Sequence, residues 1–537
     1  MTLLTTIRDA TFDVLRSHEL TTMFGNPGST EVALLTDLPD DLNFVLALHE
    51  GSVVSTAVGW ALGNDTPALV VLHTVSGFGN AVGALTTARE NRAPLVVLVG
   101  EQDRRHQAQR PFLSGELDDL AGGYPVSVQH PARPGDVPSA VARAWHSART
   151  HRGPAVVIVP MDDWSAPADE TGTVNSPRKL TRATTADPEA VAELVELVDA
   201  SDSPALVVGA GSDDERTWEA LAVLAERLRC PVWQEPFGSR AGFPQDHRLF
   251  AGHLPANRSR LREALAPHDA VVAVGAPFLR QYPYERGPLV EAGTRLAIVT
   301  DDADEAHRAP VDLALLAPPG SVCELLTTRV RERAEVVETP KRRQERLPVP
   351  ENGRPLRPGH VLTALADRLP AEATVVEETP SSRPELHRAL PARQPLGFLS
   401  AATGGLGFAM PAATGLRMAR PRRPVVAVVG DGSSLYGIQS LWSAAQYGCG
   451  VLFVVLSNGR YAIMDRLSEN QGGKAPWPGF DQVSVHGLAR SLNCPAARVD
   501  SPDELTAALD EVVPSLPDRT EPFLLDVTVA AEAAYEP

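Results

Sequence analysis

The sequence predicts an α/β protein built as three doubly wound parallel-sheet domains. At 537 residues the chain is too long for one hydrophobic core, and about three domains is the natural division. Short apolar runs ending in Gly, Asp, Asn or His recur along it: Ala68–Leu72, Leu95–Val99, Ala155–Val159, Ala205–Val208, Ala270–Val274, Leu296–Val299, Val425–Val429 and Val451–Leu456. Runs that are apolar on both alternating faces suit strands buried between layers of helix. Amphipathic stretches such as Glu189–Asp199 and Trp218–Leu228 lie between them and read as helices. Strand and helix in alternation means parallel sheets.

Two breaks in composition separate the domains. Asp162–Asp187 is polar and rich in Ser, Thr, Ala and Pro, and Glu335–Pro358 is rich in Arg, Glu and Pro, as an exposed linker would be. Domains are therefore expected over 1–170, 185–333 and 355–537. With 43% apolar and 22% charged residues the composition is that of an ordinary soluble protein. A net charge of −18 disfavours nucleic acid and anionic membrane as partners, since both repel an acidic surface. No apolar run reaches the roughly 18 residues of a membrane span. Met1–Leu20 mixes Arg8, Asp9, Asp13 and Glu19 among its apolar residues, unlike a signal peptide. Cys230, Cys323, Cys449 and Cys494 lack CxxC spacing, which argues against zinc and against a disulfide framework. A cytoplasmic protein is expected.

The strongest motif is Gly430-Asp431-Gly432-Ser433, followed after one helix and one strand by Ser457-Asn458-Gly459. Asp-Gly and Asn-Gly are, singly, ordinary turns. Here each closes an apolar strand, and a βαβ unit sets both strand ends side by side at the edge where α/β folds bind ligands. A carboxylate, a carboxamide oxygen and a backbone carbonyl there offer hard oxygen ligands to Mg²⁺. Gly432 would let the backbone approach phosphates, with the N-terminus of the helix after Ser433 aimed at them. In the first domain Leu48-His49-Glu50-Gly51 ends the run Phe44–Leu48, and the small apolar stretch Ser52–Leu62 follows. Glu50 thus begins a buried helix, where a lone carboxylate costs several kcal/mol unless it is bonded or protonated; its own first turn could satisfy it.

The Asp-Gly and Asn-Gly pair resembles the motif of the thiamine-diphosphate enzymes, which begins GDG and closes some thirty residues later with Asn. That resemblance implies Asp431, Asn458 and the backbone carbonyl of Arg460 as metal ligands for Mg²⁺, with Ca²⁺ a possible substitute. Most of the family has Asn where Ser457 stands. It also implies that Glu50 bonds N1′ of the aminopyrimidine and favours the imino tautomer that activates the thiazolium.

Further segments resemble the benzoylformate decarboxylase family across essentially the whole chain. They are the GNPGS turn at Gly25–Ser29, HTVSGFGNAVGAL from His73, Gly404-Gly405-Leu406-Gly407-Phe408, and GDGSSLYGIQSLWSAAQYG from Gly430. What this implies is a pyrimidine-binding, a middle and a diphosphate-binding domain, and non-oxidative decarboxylation of a 2-oxo acid to an aldehyde. Ser29 would position the substrate and His73 would relay protons. Gly404 would take the 4′-amino group and Leu406 would prop the bent cofactor. Gly432, Ser433, Tyr461, Ser381 and Ser382 would contact the cofactor, the last two by the weakest transfer. Each site would lie between two subunits, so a homodimer is the minimum and a homotetramer is expected.

This chain departs from the family around the substrate. The Gly275-Ala276-Pro277 turn is present, but Tyr282 stands where the family has a second histidine, and a phenol is a poor proton shuttle near neutral pH. Ile463 replaces a small alanine and Leu467 a phenylalanine, while Phe112 and Leu113 offer an apolar wall. A benzoylformate-like 2-oxo acid with a bulky apolar side chain is expected, with benzoylformate itself handled poorly. The rival readings are an acetolactate-synthase-like or other acyloin-forming carboligase and a non-catalytic cofactor-binding paralogue. Retention of Glu50 speaks against the paralogue, because binding alone needs only the diphosphate and metal groups. FAD would favour the carboligase, and Val207–Gly211 superficially suggests a dinucleotide loop. It lacks a third glycine and runs into Ser212-Asp213-Asp214, whose charge suits phosphate poorly, so no flavin is expected.

Overall fold

Each of these apolar runs falls on a buried parallel strand in the computed structural model, which describes residues 5–168, 174–334, 347, 350 and 354–531. The first sheet contains β1 (Thr22–Asn26), β2 (Asn43–Leu46), β3 (Ala68–His73), β4 (Leu95–Glu101), β5 (Ser127–Gln129) and β6 (Pro154–Pro160), in the order β2-β1-β3-β4-β6-β5. The middle sheet contains β7 (Pro204–Val208), β8 (Val232–Gln234), β9 (Phe250–His253), β10 (Ala270–Val274), β11 (Arg295–Thr300) and β12 (Leu313–Leu316), in the order β12-β11-β10-β7-β8-β9. The third contains β13 (Thr374–Glu378), β14 (Phe398–Ser400), β15 (Val425–Gly430), β16 (Leu452–Ser457), β17 (Ala496–Val499) and β18 (Phe523–Thr528), in the order β14-β13-β15-β16-β18-β17. All of their pairings are parallel. Counted within each sheet, the first and third share one strand order, 2-1-3-4-6-5.

Those two sheets are joined through the helices that follow their second strands, Glu50–Asn64 and Ala409–Ala419. Both are rich in small residues, and their backbones touch. A Cβ on Gly59 would lie 1.9 Å from the Ala412 carbonyl oxygen, and one on Gly415 would lie 1.8 Å from that of Thr56. Val54, Ala57 and Val58 share one core with Ala412, Ala413 and Leu416.

Three expectations need amendment. The single helix expected after Ser433 is two, Asp431–Gly437 and Ser440–Gln446, interrupted where Gly437 packs on the Gly407 turn and Gln439 Nε2 donates to Ser52 Oγ at 3.1 Å. The helix placed at Glu189–Asp199 runs instead over Ala192–Ala200. The stretch Glu335–Pro358 lies largely outside the described residues, and its end belongs to the third domain: Leu356 is buried and Pro358 opens the helix Pro358–Ala366. Among the described residues no helix is long and apolar enough to cross a membrane, and all four cysteines are free and buried.

Candidate functional site

Register sets the third-domain edge. β15 pairs with β16 so that Gly430 faces Leu456, which places Asp431 beside Ser457 and Asn458. Asp431 is 6% exposed. Its Oδ1 accepts from Gly432 N at 2.7 Å, and its Oδ2 accepts from Asn458 N at 2.8 Å and Gly459 N at 2.6 Å. Burial raises its pKa, the three backbone N–H groups oppose that, and Asp526 nearby adds to the rise. Asn458 Oδ1 accepts from Arg460 N at 3.1 Å, which fixes the carboxamide next to the Arg460 backbone. Ser457, the departure from the family pattern, donates to Asp526 Oδ1 at 2.5 Å, and Asp526 Oδ2 lies 2.9 Å from His486 Nδ1. The serine is thus anchored from β18 and does not intrude on the donors.

A cavity of about 170 Å³ opens here, bordered by Asp431, Ser457, Asn458, Gly459, Asp526 and Thr528. Among the described residues no group of three or more His, Cys, Asp or Glu side chains could hold a metal. The cavity's acids, Asp431, Asp481 and Asp526, do not form such a group; beside Asp431 stand the Asn458 carboxamide and backbone carbonyls, and one carboxylate with such neutral oxygens suits a hard cation whose remaining ligands come from a phosphate. Gly432 has a second reason to be glycine, because a Cβ there would lie 2.6 Å from Tyr461 Cε1. Tyr461 packs at 5.0 Å on Phe480, and burial, then Tyr436, raises its phenol pKa. Ser433 and Ser382 are buried and Ser381 is half-buried, the latter two in the turn after β13. Gly404, at φ 69°, and Leu406, 37% exposed, stand on the turn after β14. Ile463 and Leu467 lie half-buried on the helix Ala462–Asn470.

The first-domain edge is built from side chains. Glu50 opens its helix and is 9% exposed. Capping of that helix falls to the His49 ring, which accepts from Gly51 N at 3.0 Å. The Glu50 carboxylate is held instead by Asn80 Nδ2 at 3.1 Å and Asn26 Nδ2 at 3.4 Å. His73 ends β3, with Nδ1 at 3.0 Å from both Thr30 Oγ1 and Glu31 Oε2. Glu31 is buried, its Oε2 accepts from Gly28 N at 2.8 Å, and its Oε1 accepts from Thr30 Oγ1. One carboxylate therefore ties the Gly25–Ser29 turn, where Ser29 is exposed, to the imidazole. Gly28 is glycine because a Cβ would fall 2.3 Å from the His73 ring.

The substrate residues are less gathered than expected. Leu113 borders a cavity of about 350 Å³ with Pro111 and Leu117 on one hand and Glu101, Arg110 and Glu116 on the other, so this wall is mixed. Phe112 is 88% exposed and Tyr282 is 60% exposed, its backbone N–H donating to Ala256 O at 2.9 Å. Neither side chain borders the cavity at Asp431 or that at Leu113. Both cavities are one-sided: that at Asp431 is lined by third-domain residues alone and that at Leu113 by first-domain residues alone.

The reading of the sequence missed Glu31, Asp526 and the roles of Asn26 and Asn80. Their partners lie tens of residues away, and only the topology unites them. The Glu31 of Gly28-Ser29-Thr30-Glu31 was the one available signal, an acid one helical turn beyond a glycine turn.

The middle sheet reverses its strand order between β7 and β10, where such folds take nucleotides. Here the two strand ends bond each other. Gly211 N donates to Gly275 O at 2.7 Å and Ser212 Oγ to Val274 O at 2.6 Å. Buried Arg240 donates to Ala210 O at 2.8 Å and lies 3.6 Å from Asp213.

Comparisons with known proteins cover the same three units. Models of the thiamine pyrophosphate enzyme N-terminal TPP binding domain, central domain and C-terminal TPP binding domain match residues 5–121, 191–326 and 381–527. Benzoylformate decarboxylase of Pseudomonas aeruginosa is 37% identical over 97% of this chain and 98% of its own length. A putative acetolactate synthase large subunit of Mycobacterium tuberculosis is 28% identical over 94% of this chain and 96% of its own. Among solved structures, the thiamine diphosphate-dependent 4-hydroxybenzoylformate decarboxylase of Rhodococcus jostii superposes with a TM-score of 0.92 at 34% identity, covering 98% of this chain and 99% of that one. Benzoylformate decarboxylase of Polynucleobacter necessarius gives 0.93 at 33% identity over 99% of each.

Proposed function

The chain belongs to the thiamine pyrophosphate enzyme family, and from that premise we propose that it is a Mg²⁺-dependent decarboxylase of a bulky apolar 2-oxo acid, releasing an aldehyde and CO₂. The observation that carries this is Glu50, a buried carboxylate held by two carboxamides and, among the described residues, by no cation, on the same edge as an imidazole backed by Glu31. Simple binding of a diphosphate would need neither group.

On this reading Asp431, the Asn458 carboxamide oxygen and the Arg460 carbonyl hold Mg²⁺, which Ca²⁺ can replace. Backbone at Gly432 and Ser433 receives the diphosphate, with Ser381, Ser382 and Tyr461 beside it. Gly404 and Leu406 hold the aminopyrimidine and the bend of the cofactor. Thiamine diphosphate, when bound, supplies the carbon that attacks the ketone and accepts the electron pair left as CO₂ departs. Glu50 holds a proton at N1′, and Asn26 and Asn80 keep its carboxylate from turning away. A carboxylate only accepts, so His73 carries its proton on Nδ1 toward Glu31 and leaves Nε2 free to take and return a proton. Ser29 positions the substrate and Tyr282 donates a hydrogen bond. Leu113, Phe112, Ile463 and Leu467 border the substituent.

Because each cavity is lined by one domain only, a second copy supplies the opposite wall, which makes a homodimer the minimum unit and a homotetramer its pairing. The hydrogen bonds that join the loops after β7 and β10 support a reading without flavin, against acetolactate-synthase-like carboligation. The test is a panel of aromatic, branched and short 2-oxo acids, assayed for CO₂ and aldehyde with and without thiamine diphosphate and Mg²⁺. Release from none of them sinks the proposal, and acyloin as the main product moves the chain to the carboligases.

A further inference from the structure

Glu378, the last residue of β13, is a carboxylate that no step above uses. It is 6% exposed. Its Oε1 accepts from Gly407 N at 2.7 Å, and its Oε2 accepts from Phe408 N at 2.8 Å and Ala409 N at 2.7 Å. These are the unpaired N–H groups at the start of the helix Ala409–Ala419, whose own N-cap, Phe408, has no side chain that can serve. The charged neighbour from its own strand is Glu377, already engaged with Arg383 at 3.2 Å and with Thr379 N at 2.6 Å. Burial outweighs the three bonds and pushes the Glu378 pKa up to about 7. A serine or aspartate within the turn would cap a helix at less cost than a buried acid without a cation.

What the acid does hold is a turn. Gly404 and Gly407 take φ of 69° and 85°, and the turn is pinned at both flanks. Upstream, Asn91 Nδ2 donates to Ser400 O at 2.9 Å, Asn91 Oδ1 accepts from Ala402 N at 2.9 Å, and Thr87 Oγ1 lies 2.9 Å from Thr403 Oγ1. Downstream the pin is Glu378. Between the pins, Gly404 has no atom within 4 Å of where a Cβ would stand, and Leu406 projects outward. Such a segment is rigid in its backbone and open on one face.

We propose that Glu378 is a positioning residue for the aminopyrimidine-binding turn, fixing Gly404 and Leu406 by clamping the N–H groups of residues 407–409. This rests on the reading of that turn given under the proposed function. Glu378 also pairs with Val429 in the neighbouring strand, two residues before Asp431, so the clamp and the metal-bearing strand end share one frame.

The experiment is titration of the metal-loaded apoprotein with thiamine diphosphate, read by binding isotherm and by the circular dichroism of the bound aminopyrimidine. Glu378→Gln keeps the shape, loses an acceptor and turns an N–H toward N–H groups. Its affinity falls by about tenfold or more and the tautomer signal changes. Asp269→Asn is the comparison: Asp269 holds the backbone N–H groups of Asp202 and Ser203 in the middle domain in the same manner, away from the turn, and its loss leaves both readouts as in wild type. Wild-type affinity and signal in Glu378→Gln overturn the proposal, as does an equal loss in Asp269→Asn. Should Glu378→Gln not fold, Glu378→Asp, one methylene shorter, decides by the same criteria. A wild-type chain that fails to bind thiamine diphosphate overturns the functional reading itself, a result distinct from the others.

Discussion

The first and third sheets are the same frame furnished in two ways. Both run 2-1-3-4-6-5, and in both the candidate residues stand at the carboxyl ends of the strands. After the first strand come Asn26 to Glu31 in one and Glu378 to Ser382 in the other. After the second come Glu50 and the Gly404–Leu406 turn, each leading into the helix that packs against its counterpart. After the third come His73 and Asp431. The first edge carries carboxylates and an imidazole bonded side chain to side chain. The third carries glycines, backbone N–H groups and two carboxylates, Asp431 and Glu378, that backbone holds, with the Asp526–His486 pair beside them. Moving protons requires groups that titrate, whereas holding a metal diphosphate requires fixed donors and close approach. On the proposed reading one topology serves both, because strand ends leave backbone and side chains equally free.

That contrast can be broken experimentally. Asp431→Ala removes the charged ligand proposed for the metal, so thiamine diphosphate affinity in Mg²⁺ falls by about a hundredfold or more; the protein still folds, but melts lower because three backbone N–H groups lose their acceptor. Affinity unchanged by the substitution would take Asp431 out of the metal site. Glu50→Gln, on the other edge, retains cofactor binding but loses about 10²–10⁴-fold in turnover, since an amide cannot hold the N1′ proton. Exchange of the cofactor C2 proton for deuterium, followed by NMR, isolates that loss, and undiminished exchange would refute the role.

Smaller effects sharpen the division within the proton-moving edge. His73→Ala slows single-turnover CO₂ and aldehyde release by roughly a hundredfold, and Tyr282→Phe by less than about tenfold, because only His73 has a carboxylate behind it. If Tyr282→Phe is the more severe in both steps, the phenol is the proton carrier. Glu31→Gln leaves His73 in place but removes its fixed acceptor, and costs about tenfold in aldehyde release with cofactor affinity unchanged. Full activity in Glu31→Gln would make the contact with His73 merely structural.

How much of this was legible in the sequence follows from where the signals lie. Val425–Val429 and Val451–Leu456 are apolar on both faces and end in glycine or asparagine turns, so the strands and the edge they share were visible. Thr374–Glu378 is equally buried but ends in two glutamates, which on their own look like surface. Asp526 is hidden for the same reason inside Phe523–Thr528. Glu31 and Glu378 find their partners across the fold, 42 and 29 to 31 positions away, and no periodicity records such a distance. Orientation at Phe112 and Leu113 was not legible either: Phe112 is 88% exposed, and Leu113 takes a positive φ of 69° at the border of a cavity.

The last and smallest effect asks which force governs the binding edge. Glu378 and Asp269 each hold backbone N–H groups, yet their carboxyls shift in opposite directions: Asp269, near solvent, is lowered, and Glu378, buried, is raised to about 7 from an ordinary 4.5. A raised carboxyl pKa means the folded state binds the proton more tightly than the unfolded chain. Its stabilising contribution is therefore complete below about pH 4.5 and is lost as pH rises to about 7. Glu378→Gln cannot titrate there. The stability of wild type relative to Glu378→Gln thus declines over this window by on the order of 3 kcal/mol, a shift of a few degrees in the melting of the apoprotein. Melting both proteins from pH 4.5 to pH 7.5 measures it. A wild-type advantage that instead grows with pH would show that the three N–H bonds overcome burial and hold the carboxylate ionised. The third-domain edge would then be an electrostatically satisfied anion site, and its contrast with the proton-moving edge of the first domain would lie in geometry alone.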